Sequence, residues 1–197
     1  MSLARRLIAA GFSDLDKGER FLAARELEGL DQDALFAGLQ LAANPDTALQ
    51  SLVRLIEKHP ELRKLAVADP ESSEPLYRVL GASEALGEFL IRHPEHLDAF
   101  DVRVSPEPLP ADTVALRTRL LQSVRADPKA ARPVAALSGQ EAYAALRTAY
   151  RRGLVELAIK DLCAADPLDF MPAAGAELAD LAGAALEAAL AVSRAEA

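Results

Sequence analysis

Four groups of side chains in this sequence have types and spacings that chemistry uses. His93 and His96, in the run HPEH, stand three residues apart, so two ring nitrogens could turn toward one metal ion. No third ligand lies near them in the chain, and Pro94 places them at a helix start, so the pair reads as an exposed polar turn. The doublets Asp14/Asp16 and Asp31/Asp33 have the D-x-D spacing of two-metal phosphoryl-transfer sites. Such sites carry their carboxylates on a strand. Here each doublet precedes a helical stretch, where the helix dipole favours acids, and both read as helix caps. Cys163 has no histidine close to it in sequence and reads as an idle thiol.

The fourth group, Arg147, Arg151, Arg152, Lys160 and Asp161, is the candidate docking face. Arg147 and Arg151 are one helical turn apart and share a face, and Glu156 precedes Lys160 by four residues, the favourable order for an ion pair. Asp161 follows Leu157 by one turn and is expected to point inward, toward a basic partner. The cluster serves either as a salt-bridged helix surface or as a docking surface for another domain. Phosphate loops of the forms GxGxxG and GxxxxGK[ST] are missing, as is a GxSxG elbow. The residues therefore predict no catalytic, cofactor-binding or metal-binding position in this chain.

The elements that would carry these groups read as helices. Aromatic residues make up 5% of the chain, and no segment alternates apolar and polar next to a hairpin turn. Helical spacing with caps recurs instead. A helix is expected from about Leu15 to Glu28, and Asp31 caps the next. Asn44 caps a third, with Pro45 at its first position, where proline loses only an N–H that had no helical partner. Leu49, Leu52, Val53 and Ile56 form its buried stripe. His59-Pro60 ends that helix and starts another, to about Ala68, and Pro75 is expected in the first turn of a helix reaching Leu80. In VLGASEALGEFLIRHPE, Gly81 permits a helix-ending turn, Ser83 caps the next helix, Leu86, Phe89 and Leu90 pack inward, and Pro94 stops the run. The echo of His59-Pro60-Glu61 in His93-Pro94-Glu95 lacks the inner signature of a helical repeat and reads as two similar corners.

The segment DVRVSPEPLPAD, with Pro106, Pro108 and Pro110 alternating, favours an extended connection. It divides a short-helix part (1–100) from a long-helix part (112–197) through a linker (101–111), with one continuous helical body preferred over two domains. Asp112 caps a helix through Leu116, Leu120, Leu121 and Val124. Ser138 and Glu141 have the spacing of a capping box and open a helix over 139–163, with Tyr143, Leu146, Tyr150, Leu154 and Leu157 on one face. A last helix, about 173–193, pairs with it antiparallel. The fold class is all-α: an irregular multi-helix bundle with short helices first and a long antiparallel pair at the C-terminus.

Composition narrows the partners. The 197 residues are 51% apolar and carry 22 Lys+Arg against 30 Asp+Glu, a net charge of −8 that disfavours nucleic acid. One cysteine rules out an internal disulfide. No stretch approaches a membrane span or a signal peptide, so a cytoplasmic chain is expected.

Four stretches occur in an order that carries more than periodicity. They are GFSDLDKGERFLAARELEG, ALQSLVRLIEKHPELRKLAV, LYRVLGASEALGEFLIRHPEHLDAF and the run from LRTAYRRGLVELAIKDL to the end. Together they resemble the N-terminal segment of the glutamine synthetase adenylyltransferase/deadenylyltransferase family, in a form similar to actinobacterial members. LGAS-x-x-L-x-x-x-L-x-RHP (80–94) and YRR-x-L-x-x-x-A-x-x-DL (150–162) are the most specific pieces. The resemblance implies a large bifunctional enzyme with two nucleotidyltransferase-like halves. One half transfers AMP from ATP to a tyrosine of glutamine synthetase, and the other removes it by phosphorolysis. The PII signalling protein and glutamine set the balance.

In each half the resemblance places a helical region before a strand-borne GG-x-EL-x-Y-x-SD-x-D motif, whose acids bind Mg²⁺. None of that motif is present here, so no catalytic or metal residue carries over. The chain then reads as an N-terminal piece of the deadenylylating half, scaffold or docking region, inactive by itself. Mg²⁺, ATP/ADP, glutamine synthetase, PII and the missing nucleotidyltransferase domain are implied for the parent enzyme. The alternative is a free-standing helical interaction module.

Overall fold

The computed structural model describes residues 2–101 and 112–197, so the prolines Pro106, Pro108 and Pro110 lie outside the described residues. The protein is all-α, with no strand among the described residues. It divides into two compact units, Met1–Arg103 and Val104–Ala197.

The first unit contains α1 (Leu3–Ala9), α2 (Leu15–Leu22), α3 (Gln32–Leu39), α4 (Pro45–Lys58), α5 (Arg63–Ala66), α6 (Pro70–Ala82) and α7 (Glu84–Arg92). Turns of 3-10 helix at Arg25–Leu27, Pro60–Leu62 and Pro94–Asp101 join or extend them. Short polar side chains start these helices by accepting from free backbone N–H groups. Asp14 takes Lys17 N at 2.9 Å, Asp31 takes Asp33 N at 2.8 Å, and Asn44 takes Thr47 N at 3.1 Å. Asp69 takes Ser72 N at 3.1 Å, and Ser83 takes Leu86 N at 3.3 Å. Each such cap is worth about 1 kcal/mol.

The 14-residue α4 is the hub, packed by α2, α3, α6 and α7. Its expected stripe of Leu49, Leu52, Val53 and Ile56 is buried, and Leu55 joins it. Small residues set the spacing around it. A Cβ on Gly38 of α3 would lie 2.0 Å from the ring of Tyr77 on α6, and one on Gly81 would lie 2.6 Å from Ala42 Cβ. Gly81 is thus required for close packing. It is not among the glycines with positive φ, so the helix-ending turn expected of it is not its role. Tyr77 is fully buried and its hydroxyl donates to Ala66 O at 2.6 Å.

In this unit three boundaries differ from the sequence reading, and in the second unit the last helix, expected over about 173–193, starts at Pro167, where Asp166 caps it, and runs to Glu196. The helix expected over 15–28 stops at Leu22 and resumes as a 3-10 turn at Arg25. There, Arg63 holds the carbonyls of Glu26 and Glu28 from across the unit. Pro75 lies inside α6 rather than in its first turn, because Asp69 with Pro70 starts that helix five residues earlier. The stretch from Pro60 forms a 3-10 turn followed by the single turn α5, which ends at Ala66. The histidine corners are geometrically alike: φ −133, ψ 74 at His59 and φ −131, ψ 66 at His93. In both, the ring Nδ1 faces the glutamate two residues on, at 3.7 and 3.1 Å.

The second unit is a three-helix bundle of α8 (Thr113–Ser123), α9 (Gly139–Leu162) and α10 (Pro167–Glu196). Its core joins Leu116, Leu120 and Leu121 of α8, and Val124 just after it, to Leu181 and Ala188 of α10. Alanines on α10 let the helices approach closely. Asp112 starts α8, accepting from Ala115 N at 2.9 Å. The long pair is antiparallel: Lys160 near the end of α9 meets Glu177 near the start of α10, while Gly139 at the start of α9 meets Glu196. The loop before α9 lies along α10, with Ala135 N donating to Ala191 O at 3.0 Å.

The capping box expected at α9 does not form. Ser138 makes no side-chain cap bond, and the free Gly139 N–H donates instead to Glu196 Oε1 at 2.7 Å. A carboxylate from the far end of the sequence thus caps the helix that Glu141 was expected to help cap. Gly139 has φ +56, a conformation that departs from the simple Ser-x-x-Glu start. Of the face expected to pack, Leu157 is buried, whereas Tyr143 is 44% exposed.

Candidate functional site

α9 carries all five residues of the candidate docking face, and the bundle separates them. Arg147 and Arg151 are exposed, and Arg147 Nε donates to its own helix at Tyr143 O, 3.3 Å away. Arg152 pairs with Glu156 at 2.9 Å, one turn along. Lys160 reaches across to α10 and holds both oxygens of Glu177, at 2.8 and 3.0 Å. Asp161 is exposed, against the inward orientation expected of it. Leu157 does face inward, whereas Asp161, in the last turn of α9, lies in water.

The predicted Glu156–Lys160 pair is replaced by two pairs between helices. Glu156 receives Arg119 of α8 at 2.6 Å as well as Arg152, so it joins α8 to α9. Glu177 has 7% of its side chain exposed and takes Lys160. On the other flank Arg117 forms a two-pronged pair with Glu187, at 2.7 and 2.6 Å, and its charged form is held more firmly than usual by that carboxylate. These bonds fix the register of the three helices. Of the five residues, Arg147, Arg151 and Asp161 are the ones exposed on α9.

Glu177 and Glu196 escaped the sequence reading, since a helix wheel cannot say which neighbour an acid will meet. Their signal was present: acids interrupting an alanine-rich helix need partners when that helix is packed. Tyr143 also donates to Glu196, and this carboxylate pushes the phenol above its ordinary pKa.

The residues with metal-binding spacing do not form a metal centre. The carboxylates of Asp14 and Asp31 are engaged by backbone N–H groups, and Asp33 by Arg6 at 2.7 Å. They do not fit a shared Mg²⁺ pair. His93 and His96 stack with Phe89, their rings 4.9 and 5.4 Å from its centre, so they lie against an aromatic face. Among the described residues, no group of three His, Cys, Asp or Glu is placed to hold a metal ion. Cys163 is half-buried at the C-cap of α9. Among the described residues, no helix is long and apolar enough to cross a membrane.

The sequence is 40% identical over 171 residues to the bifunctional glutamine synthetase adenylyltransferase/adenylyl-removing enzyme of Leifsonia xyli, covering 87% of this chain and 16% of that protein. The enzyme of the same description from Bifidobacterium longum subsp. infantis is 38% identical over 96% of this chain and 18% of its own length. That of Streptomyces coelicolor is 38% identical over 98% and 18%. No family model and no solved structure matches the chain. By sequence, the chain is similar to one stretch of glutamine synthetase adenylyltransferase/adenylyl-removing enzymes and spans only 16–18% of their length.

Proposed function

We propose that this chain is a helical, non-catalytic piece of such an enzyme, taken from the N-terminal side of its adenylyl-removing half. The observation that carries the reading is the coverage: similarity runs through 80–98% of this chain but only 16–18% of its relatives. On this reading glutamine synthetase is the substrate of the parent enzyme. Mg²⁺ and ATP/ADP are handled by a nucleotidyltransferase domain elsewhere in it, and PII is a regulatory partner, all in the cytoplasm. The role left to this chain is support. Ion pairs between α8, α9 and α10 make a rigid body, and Arg147 and Arg151 of α9 offer a cationic face to the domain that follows.

Phosphorolysis gives the test. Inorganic phosphate attacks the phosphorus of the AMP–tyrosine diester, the bond to the tyrosine oxygen breaks, and ADP leaves. Incubated with adenylylated glutamine synthetase, phosphate and Mg²⁺, this chain is expected to release neither ADP nor AMP. A longer chain that adds the next roughly 150 residues, a domain's worth, is expected to gain the activity. Release of either nucleotide by the short chain would sink the proposal.

A further inference from the structure

The outer side of α10 is apolar along most of its length. Between Met171 and Ser193 none of its exposed residues carries a charge. The ionised side chains of this stretch are turned to neighbours within the unit: Glu177 to Lys160, Asp180 to Thr113, and Glu187 to Arg117. Facing water instead are Met171, Leu178, Leu186 and Leu190, with Leu186 73% exposed. At 3.6 residues per turn, these positions and the glycines between them share one side of the helix, an arc of about 140°.

Gly175 and Gly183 make this more than a sticky surface. A Cβ added at either meets no atom within 4 Å, so nothing in the chain itself requires a glycine there. Glycine in a helix interior costs about 1 kcal/mol against alanine, and alanine is the commonest residue of α10. The missing side chains therefore make room for something outside the chain.

We propose that this something is α10 of a second copy, packed antiparallel about a two-fold axis at the level of Asp180 and Leu181. That register places Leu186 over the notch at the partner's Gly175, and symmetry repeats the contact. Ala179 meets the partner's Ala182 on the same line, so the helices approach closely at the centre. The contact is self-complementary, as a two-fold interface must be, and the antiparallel arrangement sets opposite helix dipoles side by side.

Area sets the strength. The strip is about 33 Å long and about 15 Å in arc on a helix 10–12 Å across. A pair then buries about 1,000 Å², the floor for a specific interface, so a weak dimer is expected. The net charge of −8 on each copy opposes association, and added salt tightens the dimer by screening that repulsion. The inference goes beyond the functional reading and does not depend on it.

Sedimentation equilibrium of the whole chain from about 1 to 500 µM, the range in which a weak dimer dissociates, is the test. The expected result is a monomer–dimer equilibrium that tightens with salt. Leu186→Lys weakens it at least tenfold, while the thermal melt of dilute protein is unchanged because the side chain already lies in water. Gly175→Leu fills the notch and weakens the dimer as well. Combining Gly175→Leu with Leu186→Ala exchanges knob and notch and restores association. A chain monomeric throughout overturns the proposal, including the case where the face instead receives another part of a longer protein. A dimer indifferent to Leu186→Lys overturns it too, and a double variant no tighter than the singles overturns the register.

Discussion

Replacing Gly38 by alanine should damage the first unit although it puts a better helix former into a helix. The added Cβ would sit 2.0 Å from Tyr77 Cε2 and 2.4 Å from two further ring atoms. Ordinary carbon contacts lie at about 3.5–4.0 Å, so the ring or α3 must move by more than about 1 Å. The ring has little freedom, being fully buried and tied through its hydroxyl to Ala66 O at 2.6 Å. Overpacking costs about 1–3 kcal/mol, and weakening the buried hydrogen bond about 1 kcal/mol more. The gain in helix propensity offsets about 1 kcal/mol.

The net expectation is about 2 kcal/mol of destabilisation, which lowers the melting temperature of a unit this size by about 8–16 °C. Circular dichroism melts of wild type and Gly38→Ala provide the measurement, and the double variant with Tyr77→Leu tests the cause. If the ring is what the methyl strikes, Gly38→Ala costs much less once the ring is gone, leaving a coupling energy of about 1 kcal/mol or more. A Gly38→Ala protein that melts at or above the wild-type temperature, or strict additivity in the double variant, would refute the reasoning.

Two further outcomes follow from the ion pairs. Lys160→Met leaves Glu177, with 7% of its side chain exposed, without its cation. The expected loss is about 2–3 kcal/mol, below the roughly 3–5 kcal/mol of a fully buried pair because water reaches Lys160. Adding Glu177→Leu should recover most of it in a urea titration. In the first unit, the hydrogen bond from Arg54 holds the Glu88 carboxyl below its ordinary value of 4.5. The unfolded chain then binds more protons in acid, so this contribution is present above about pH 4.5 and is lost as pH falls through the folded value. Arg54→Met should narrow the difference in melting temperature between about pH 6 and pH 3; an unchanged acid dependence would show that the pair does not drive it.

Local sequence signals located most helix starts, because a cap is a contact among residues two or three positions apart. Asp14, Asp31, Asn44, Asp69 and Ser83 all cap helices. Four of these starts were legible in the residues, and the fifth, at Asp69, was displaced only because Pro75 looked like an initiator. The buried stripe of α4 was equally legible, since 3.6-residue spacing assigns one face to the core. The candidate docking face was legible in its residues but not in its pairings. Both i, i+4 spacings on α9 were available to Glu156, and it took Arg152 together with Arg119 of another helix.

The sequence by itself thus determined an all-α chain, the order of its helices, most of their caps and its family likeness. Those depend on spacing along the chain and on the wording of motifs. Only the tertiary structure decided that Glu196 caps α9 in place of the Ser138–Glu141 box, and that Lys160 serves Glu177. It alone showed that Gly38 and Gly81 are required by close neighbours, and that the side of α10 bearing Leu186 is left in water. The physical reason is common to all of these. Each depends on which surfaces meet across tens of residues, and helical periodicity specifies a face without naming what covers it.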